Sequence, residues 1–172
     1  MSIFKKETNS QNNEESEYNE IGLIIDNFLE KEGKNFDIIL LLEPTSPLRE
    51  VSDISGALNC LVSNKNIESV VGVSQIEGQH PSFLFRINQG LLSPYLEKAP
   101  NHMRRQDLDE LYFLEGSIYA SFVSVFKIKK GFYHEATAPW KVSRYKSIEI
   151  DEAMDLVIAE AILVARAEGR LE

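Results

Sequence analysis

The apolar positions change period several times along the chain, and each change predicts an element. Tyr18, Ile21, Ile24, Ile25, Phe28 and Leu29 recur at helical spacing, and Gly33 follows where such a helix would stop. Asp37–Leu42 is a continuous apolar run after one acid, the pattern of a strand covered on both faces. Helical spacing returns at Val51, Ile54, Ala57, Leu58, Leu61 and Val62, with Ser52 or Asp53 suited to cap it. "ESVVGVS", Glu68–Ser74, predicts the next strand. The alternation of helix and strand is that of an α/β fold. The two strands are expected as buried parallel neighbours.

From Gln75 to Leu111 the rhythm breaks. "FLFRI" and "LLSPYL" flank "NQG", Asn88–Gly90, and predict a hairpin. Further on, "YFLEGSIYASF" reads as a strand interrupted at Gly116. Val123–Lys129 reads as a short helix ended by Gly131, and "WKVSRY" and "SIEI" as short strands. Met154, Val157, Ile158, Ala161, Ile162 and Ala165 then repeat at helical spacing and predict a final helix. Residues 1–14 are rich in Asn, Ser and Glu and are expected to be frayed. No internal repeat or low-complexity linker divides the chain, so residues 1–172 are expected to form a single domain.

Composition narrows the partners. With a formal net charge of −9, a broad nucleic-acid-binding face is not expected. The single cysteine, Cys60, leaves no internal disulfide and falls on a helical stripe as a core residue. No apolar run approaches the roughly 20 residues of a membrane span, and the first residues lack the apolar stretch of a signal peptide. A cytoplasmic protein with no membrane partner is expected.

Four short stretches carry candidate chemistry. "EPTSPLR", Glu43–Arg49, follows the first strand, and in open α/β sheets ligands sit beyond the carboxyl ends of strands. Pro44 and Pro47 stiffen the loop, and Thr45 and Ser46 offer hydroxyls and backbone N–H groups. The stretch is either a ligand loop or a rigid connection with Arg49 exposed. In "SIEID", Ser147–Asp151, strand alternation puts Glu149 and Asp151 on one face and turns Ile148 and Ile150 inward. Two convergent carboxylates suit a hard cation such as Mg²⁺, which keeps waters and takes phosphate oxygens. The alternative is an edge strand whose Asp151 caps the final helix. "RRQ", Arg104–Gln106, is either an arginine fork for a carboxylate or phosphate or a basic spot in an acidic loop. In "LEGSIYAS", Gly116 allows close approach and Tyr119 offers a hydroxyl. The three histidines show no metal-binding spacing. His80 and His134 read as site-lining or surface residues, and His102 receives no role.

Together and in this order, "LLEPTSPLR", "RRQ", "EGSIY" and "IEIDEAMDLVIAEAIL" resemble the successive signatures of the acylneuraminate cytidylyltransferases. These are the CMP-sialic acid synthetases and their bacterial relatives that activate pseudaminic or legionaminic acid. The resemblance runs from about Glu15 to the end of the chain. It implies a mostly parallel, Rossmann-like nucleotidyltransferase sheet with helices on both faces. It also implies a likeness of Gln75–Leu111 to a small protruding arm through which family members form homodimers.

The same resemblance implies site roles. Glu43 stands where the family has a glutamine contacting the acyl sugar. Arg105 matches the arginine that grips the sugar carboxylate, with Gln106 adjoining it. Tyr119, Phe132 and Tyr133 match the lining of the sugar pocket, and Glu149 and Asp151 match the acidic pair that holds Mg²⁺. The implied reaction transfers CMP from CTP to a nine-carbon 2-keto acid and releases pyrophosphate. Two alternatives are a non-catalytic family member that keeps the fold and dimer interface, and an enzyme for another acid sugar such as 3-deoxy-manno-octulosonate. The chain departs from the pattern at Glu43, at Glu115 (usually asparagine) and at Glu149 (usually aspartate). Residues 1–36 hold nothing like the family's glycine-rich triphosphate loop, so that segment and the first strand are expected to be absent.

Overall fold

The computed structural model of the chain describes residues 21–28, 31–33, 35–76, 78–96 and 104–171, and of Arg105 the backbone alone. The stretch expected to be frayed, residues 1–14, lies outside them, as do Tyr18, Leu29 and His102. The chain folds as two compact units. The first takes the residues up to Leu42, Glu50–Val71 and Ile118–Trp140, and the second takes Glu43–Arg49, Gly72–Ser117 and the residues from Lys141 on.

The elements follow the periodicity. Helix α1 covers residues 21–28 and strand β1 is Ile38–Leu41. Helix α2 is Val51–Ser63 and strand β2 is Ser69–Gln75. The hairpin is β3, Phe85–Asn88, and β4, Leu91–Pro94. Strand β5 is Tyr112–Phe122, helix α3 Val123–Lys129, strand β6 Thr137–Lys141 and helix α4 Ala153–Ala167.

In the first unit the strand order is β1-β5-β2-β6. The remaining residues of β2, β5 and β6 belong to the second unit. Strand β5 is antiparallel to β1, with Ile38 opposite Phe122 and Leu41 opposite Tyr119. It is antiparallel to β2 as well, because Phe122 N–H meets Glu68 O at one end and Ile76 N–H meets Leu111 O at the other. Strand β6 runs parallel to β2, since Glu68 N–H donates to Ala136 O and Val142 N–H to Val73 O. The sheet is therefore mixed. The two apolar runs expected as neighbours share a direction but are separated by β5, a strand from later in the chain. This also corrects the expected burial of the first run. As an edge strand, β1 has one ladder partner and is half-buried throughout, while the first six residues of β2 are buried.

Helix α2 closes the first unit's core, where Ala57 and Leu61 meet Val70, Ile118 and Ala120. Its stripe is narrower than the sequence reading, because Val51 and Val62 are exposed. Gly56 seats the Trp140 ring so closely that an added Cβ would come within 2.1 Å of it. The cap is Glu50, with Asp53 returning a carboxylate to the Glu50 N–H at 3.0 Å. Helix α3 ends on Lys130 in the left-handed region at φ 56, one residue before the expected Gly131. Along β1, an apolar groove of about 400 Å³ is lined by α1 residues and Ile38–Leu41.

In the second unit the hairpin forms as expected, with Gln89 and Gly90 at φ 52 and 80. Two consecutive positive-φ residues match the right-handed twist of the flanking strands. Another expectation fails. "SIEI" is not a strand: Arg144–Lys146 is a 3₁₀ turn and residues 147–150 have no ladder. Helix α4 forms, yet Met154, Val157 and Ile158 are exposed and its buried residues are Ala159 and Ala165. No helix among the described residues is long and apolar enough to cross a membrane.

Candidate active site

The loop Glu43–Arg49 is held by its own backbone groups. Leu48 and Ser46 are 2% and 3% exposed, so the loop is anchored inward while Pro44 and Pro47 stay exposed. Ser46 N–H closes a turn on Glu43 O at 3.3 Å. Arg49 is not the exposed cation that a plain connection would leave. Its Nη1 donates to Glu43 O at 3.1 Å and to Ser117 O at 2.6 Å. A charged donor on two carbonyls is a strong fastener, and it ties the loop to β5.

The loop in turn holds the acidic segment. Ile150 N–H donates to Thr45 O at 2.8 Å, and Thr45 Oγ1 donates to Glu149 Oε1 at 3.2 Å. Gly116, at φ +80, lies against the same carboxylate, and an added Cβ there would sit 3.2 Å from Glu149 Oε1. Thr45, Gly116 and Glu149 thus meet at one point although the sequence spreads them over a hundred positions. Beside them Glu115 is buried and accepts a hydrogen bond from the Ser117 hydroxyl.

Burial still alternates along the acidic segment, with Ile148 and Ile150 half-buried and Glu149 and Asp151 exposed. The competing role for Asp151, capping the last helix, is already filled. The cap is Glu152, and the Asp155 carboxylate accepts from the Asp151 and Glu152 N–H groups at 3.1 and 2.9 Å. The two exposed carboxylates offer hard oxygen donors to a cation that completes its shell with water and phosphate, which fits Mg²⁺ in donor type. No cluster of three or more metal-ligating side chains occurs among the described residues.

Two cavities lie in the same unit. One, of about 630 Å³, is bordered by Gln75, Gln79, Phe113, Arg144, Ser147 and Ile148 among others. The other, of about 340 Å³, is bordered by His80, Gln75, Gln106, Asp109 and Glu110 among others. Arg105 opens the 3₁₀ turn Arg105–Asp107, in which Gln106 is exposed. Arg144, in the 3₁₀ turn Arg144–Lys146, precedes Ser147–Asp151. Lys141 Nζ bonds the Tyr112 hydroxyl at 2.5 Å, and that bond chiefly raises the ammonium above its ordinary range.

The three aromatic candidates belong to the first unit. Phe132 is 9% exposed and packs as core, with ring centroids 5.5 Å from Tyr119 and 4.8 Å from Phe126. Tyr133 is 77% exposed. Neighbours in sequence thus serve opposite ends of the burial scale.

No protein-family model matches the chain. Curated proteins do. An N-acylneuraminate cytidylyltransferase of Streptococcus agalactiae serotype V is 29% identical over 118 residues, which are 69% of this chain and 28% of that protein. The CMP-N,N'-diacetyllegionaminic acid synthase of Legionella pneumophila is 34% identical over 143 residues, covering 78% of this chain and 57% of that protein. Over most of its length the chain resembles the acylneuraminate cytidylyltransferases and their legionaminic acid relatives. It spans little more than half the length of the Legionella relative and under a third of the streptococcal one. Thr45 joins the loop to the acidic segment directly.

Proposed function

We propose that the chain is a CMP-sugar synthase domain with a Rossmann-like nucleotidyltransferase fold. It transfers CMP from CTP to the anomeric hydroxyl of a nine-carbon 2-keto acid of the sialic, pseudaminic or legionaminic type. The anomeric oxygen attacks the α-phosphorus of CTP and the bond from that phosphorus to the bridging oxygen breaks. Pyrophosphate departs, and the hydroxyl proton passes to solvent. The observation that carries this reading is Glu149, held by Thr45 against Gly116, with Asp151 beside it relieved of capping.

Glu149 and Asp151 would hold Mg²⁺, which neutralises charge on the phosphates and orients them. Thr45 keeps the Glu149 carboxylate turned toward the site. Gly116 leaves room where a side chain would crowd it. Arg49 fixes the loop and so acts as a positioning residue. Glu43, Ser46, Arg105 and Gln106 are the acid-sugar and loop contacts of this reading. Its partners are CTP, the acid sugar and a second copy of the chain, docked through the arm Gln75–Leu111.

The test is incubation of the chain with α-labelled CTP, Mg²⁺ and a panel of nine-carbon keto acids. Label appearing in a CMP-sugar, with matching pyrophosphate, is expected. Binding of an acid without transfer would favour the non-catalytic alternative. Transfer confined to 3-deoxy-manno-octulosonate would change the substrate class.

A further inference from the structure

Among the described residues β1 is an edge strand, with β5 as its ladder partner. The register tells which of its main-chain groups are left over. Val123 N–H donates to Asp37 O at 2.9 Å, so Asp37 and Val123 form a hydrogen-bonded pair. In an antiparallel ladder such pairs alternate with open ones. Ile39 opposite Ser121 and Leu41 opposite Tyr119 are therefore the next bonded pairs. The N–H and C=O groups of Ile38 and Leu40 point the other way, to the open edge.

The apolar groove of about 400 Å³ runs along that edge. All four residues Ile38–Leu41 border it, although successive side chains of a strand point to opposite faces. A groove on one face would meet only alternate residues. Its other walls include Ile24, Phe28 and Phe36, all exposed. Open main-chain groups beside bare apolar surface are a template for an added strand.

The chain carries a segment of the right kind within reach. The groove's walls begin at Ile21, and residues 1–20, which lie outside the described residues, lead directly into it. That stretch is mostly polar. Its one adjacent pair of strand-forming apolar residues is Ile3–Phe4, and its only cations, Lys5 and Lys6, follow at once. Residues 7–20 can span up to about 45 Å when extended, whereas a four-residue strand such as β1 is about 13 Å long. Neighbours on a strand point to opposite faces. Ile3 and Phe4 would thus cover one face each, as a groove along an edge requires. The lysines also match the charge nearby, since Asp26 and Asp37 are exposed and adjoin residues that line the groove.

We propose that residues 2–5 dock in this groove and add to the sheet as a strand beside β1, pairing with the main chain of Ile38 and Leu40. The inference stands apart from the CMP-transfer reading.

The experiment is amide hydrogen exchange followed by NMR on the full chain. Wild type is compared with a variant carrying Ile3→Asp and Phe4→Asp, changes outside the folded core described above. In wild type the Ile38 and Leu40 amides are expected to be protected alongside those of Ile39 and Leu41. In the variant Ile38 and Leu40 should exchange about tenfold faster or more, while Ile39 and Leu41 keep their protection from β5. Fast exchange of Ile38 and Leu40 in wild type overturns the inference. Equal protection in the two proteins overturns it as well. Protection that grows with protein concentration also overturns it and assigns the edge to a second copy of the chain.

Discussion

The loop Glu43–Arg49 and the hairpin β3–β4 belong to the same compact unit, yet they use their residues in opposite ways. The loop is polar and proline-rich, but its leucine is buried, its arginine is committed to two carbonyls and its threonine holds a carboxylate. The hairpin is rich in apolar residues, and Ile87, Leu91 and Leu92 are 75%, 74% and 69% exposed. Its strands satisfy each other through their own ladder, helped by Arg86 stacked 4.9 Å from the Tyr95 ring centroid. Hydrophobicity alone did not decide which segment was anchored. Backbone carbonyls within reach of Arg49 anchored the loop, and among the described residues the two-stranded ribbon has no second layer to bury against. A held loop suits chemistry. A bare apolar ribbon suits association.

The sharpest way to break that contrast is to unfasten the loop. Arg49→Ala removes a charged donor from two carbonyls, one of them on buried Ser117. The expected cost is about 2–3 kcal/mol, a fall in melting temperature of about 5–10 °C by scanning calorimetry for a chain of this size. An unchanged melting curve would mean the loop is anchored elsewhere.

Gly116→Ala should act more locally. The left-handed backbone costs a non-glycine residue about 1–2 kcal/mol, and the new Cβ pushes on Glu149. Because a flexible carboxylate can move aside, the melting temperature should drop by only a few degrees while CMP transfer falls much further. Equal losses in both would make Gly116 merely a structural glycine.

The smallest effect on stability is expected in the hairpin. Ile87→Lys with Leu91→Lys places charge on exposed positions and should leave the melting temperature within about 1 °C, since surface changes away from special features cost little. Sedimentation velocity should nevertheless shift from dimer to monomer. A dimer that survives the pair would move the association surface away from this arm.

The hairpin was legible in the sequence because Asn88–Gly90 and its flanks are local turn chemistry. The last helix was legible from its local spacing, which does not report burial: only Ala159 and Ala165 of it are buried. The order of strands was not legible. Strand β5 enters between β1 and β2 from later in the chain than both, and no local pattern records an insertion of that kind. The contacts of Arg49 were not legible because both its acceptors are backbone carbonyls, one of them on Ser117, and main-chain oxygens leave no mark in a sequence. The pairing of Glu149 with Asp151 was inferred from strand alternation. The strand is absent, yet exposure still alternates, because Ile150 is tied to Thr45 instead of to a ladder.

The central claim is that Glu149, held by Thr45 beside Gly116, forms the metal end of a CMP-transfer site. It is tested most directly by measuring Mg²⁺-dependent CMP-sugar formation by wild type and Glu149→Gln side by side, with folding checked by melting temperature. The substitution keeps an acceptor for Thr45 and removes only the charge. The account predicts transfer by wild type that fails without Mg²⁺, and a loss of about 100-fold or more in the variant at an unchanged melting temperature. Equal transfer by the two proteins would contradict it.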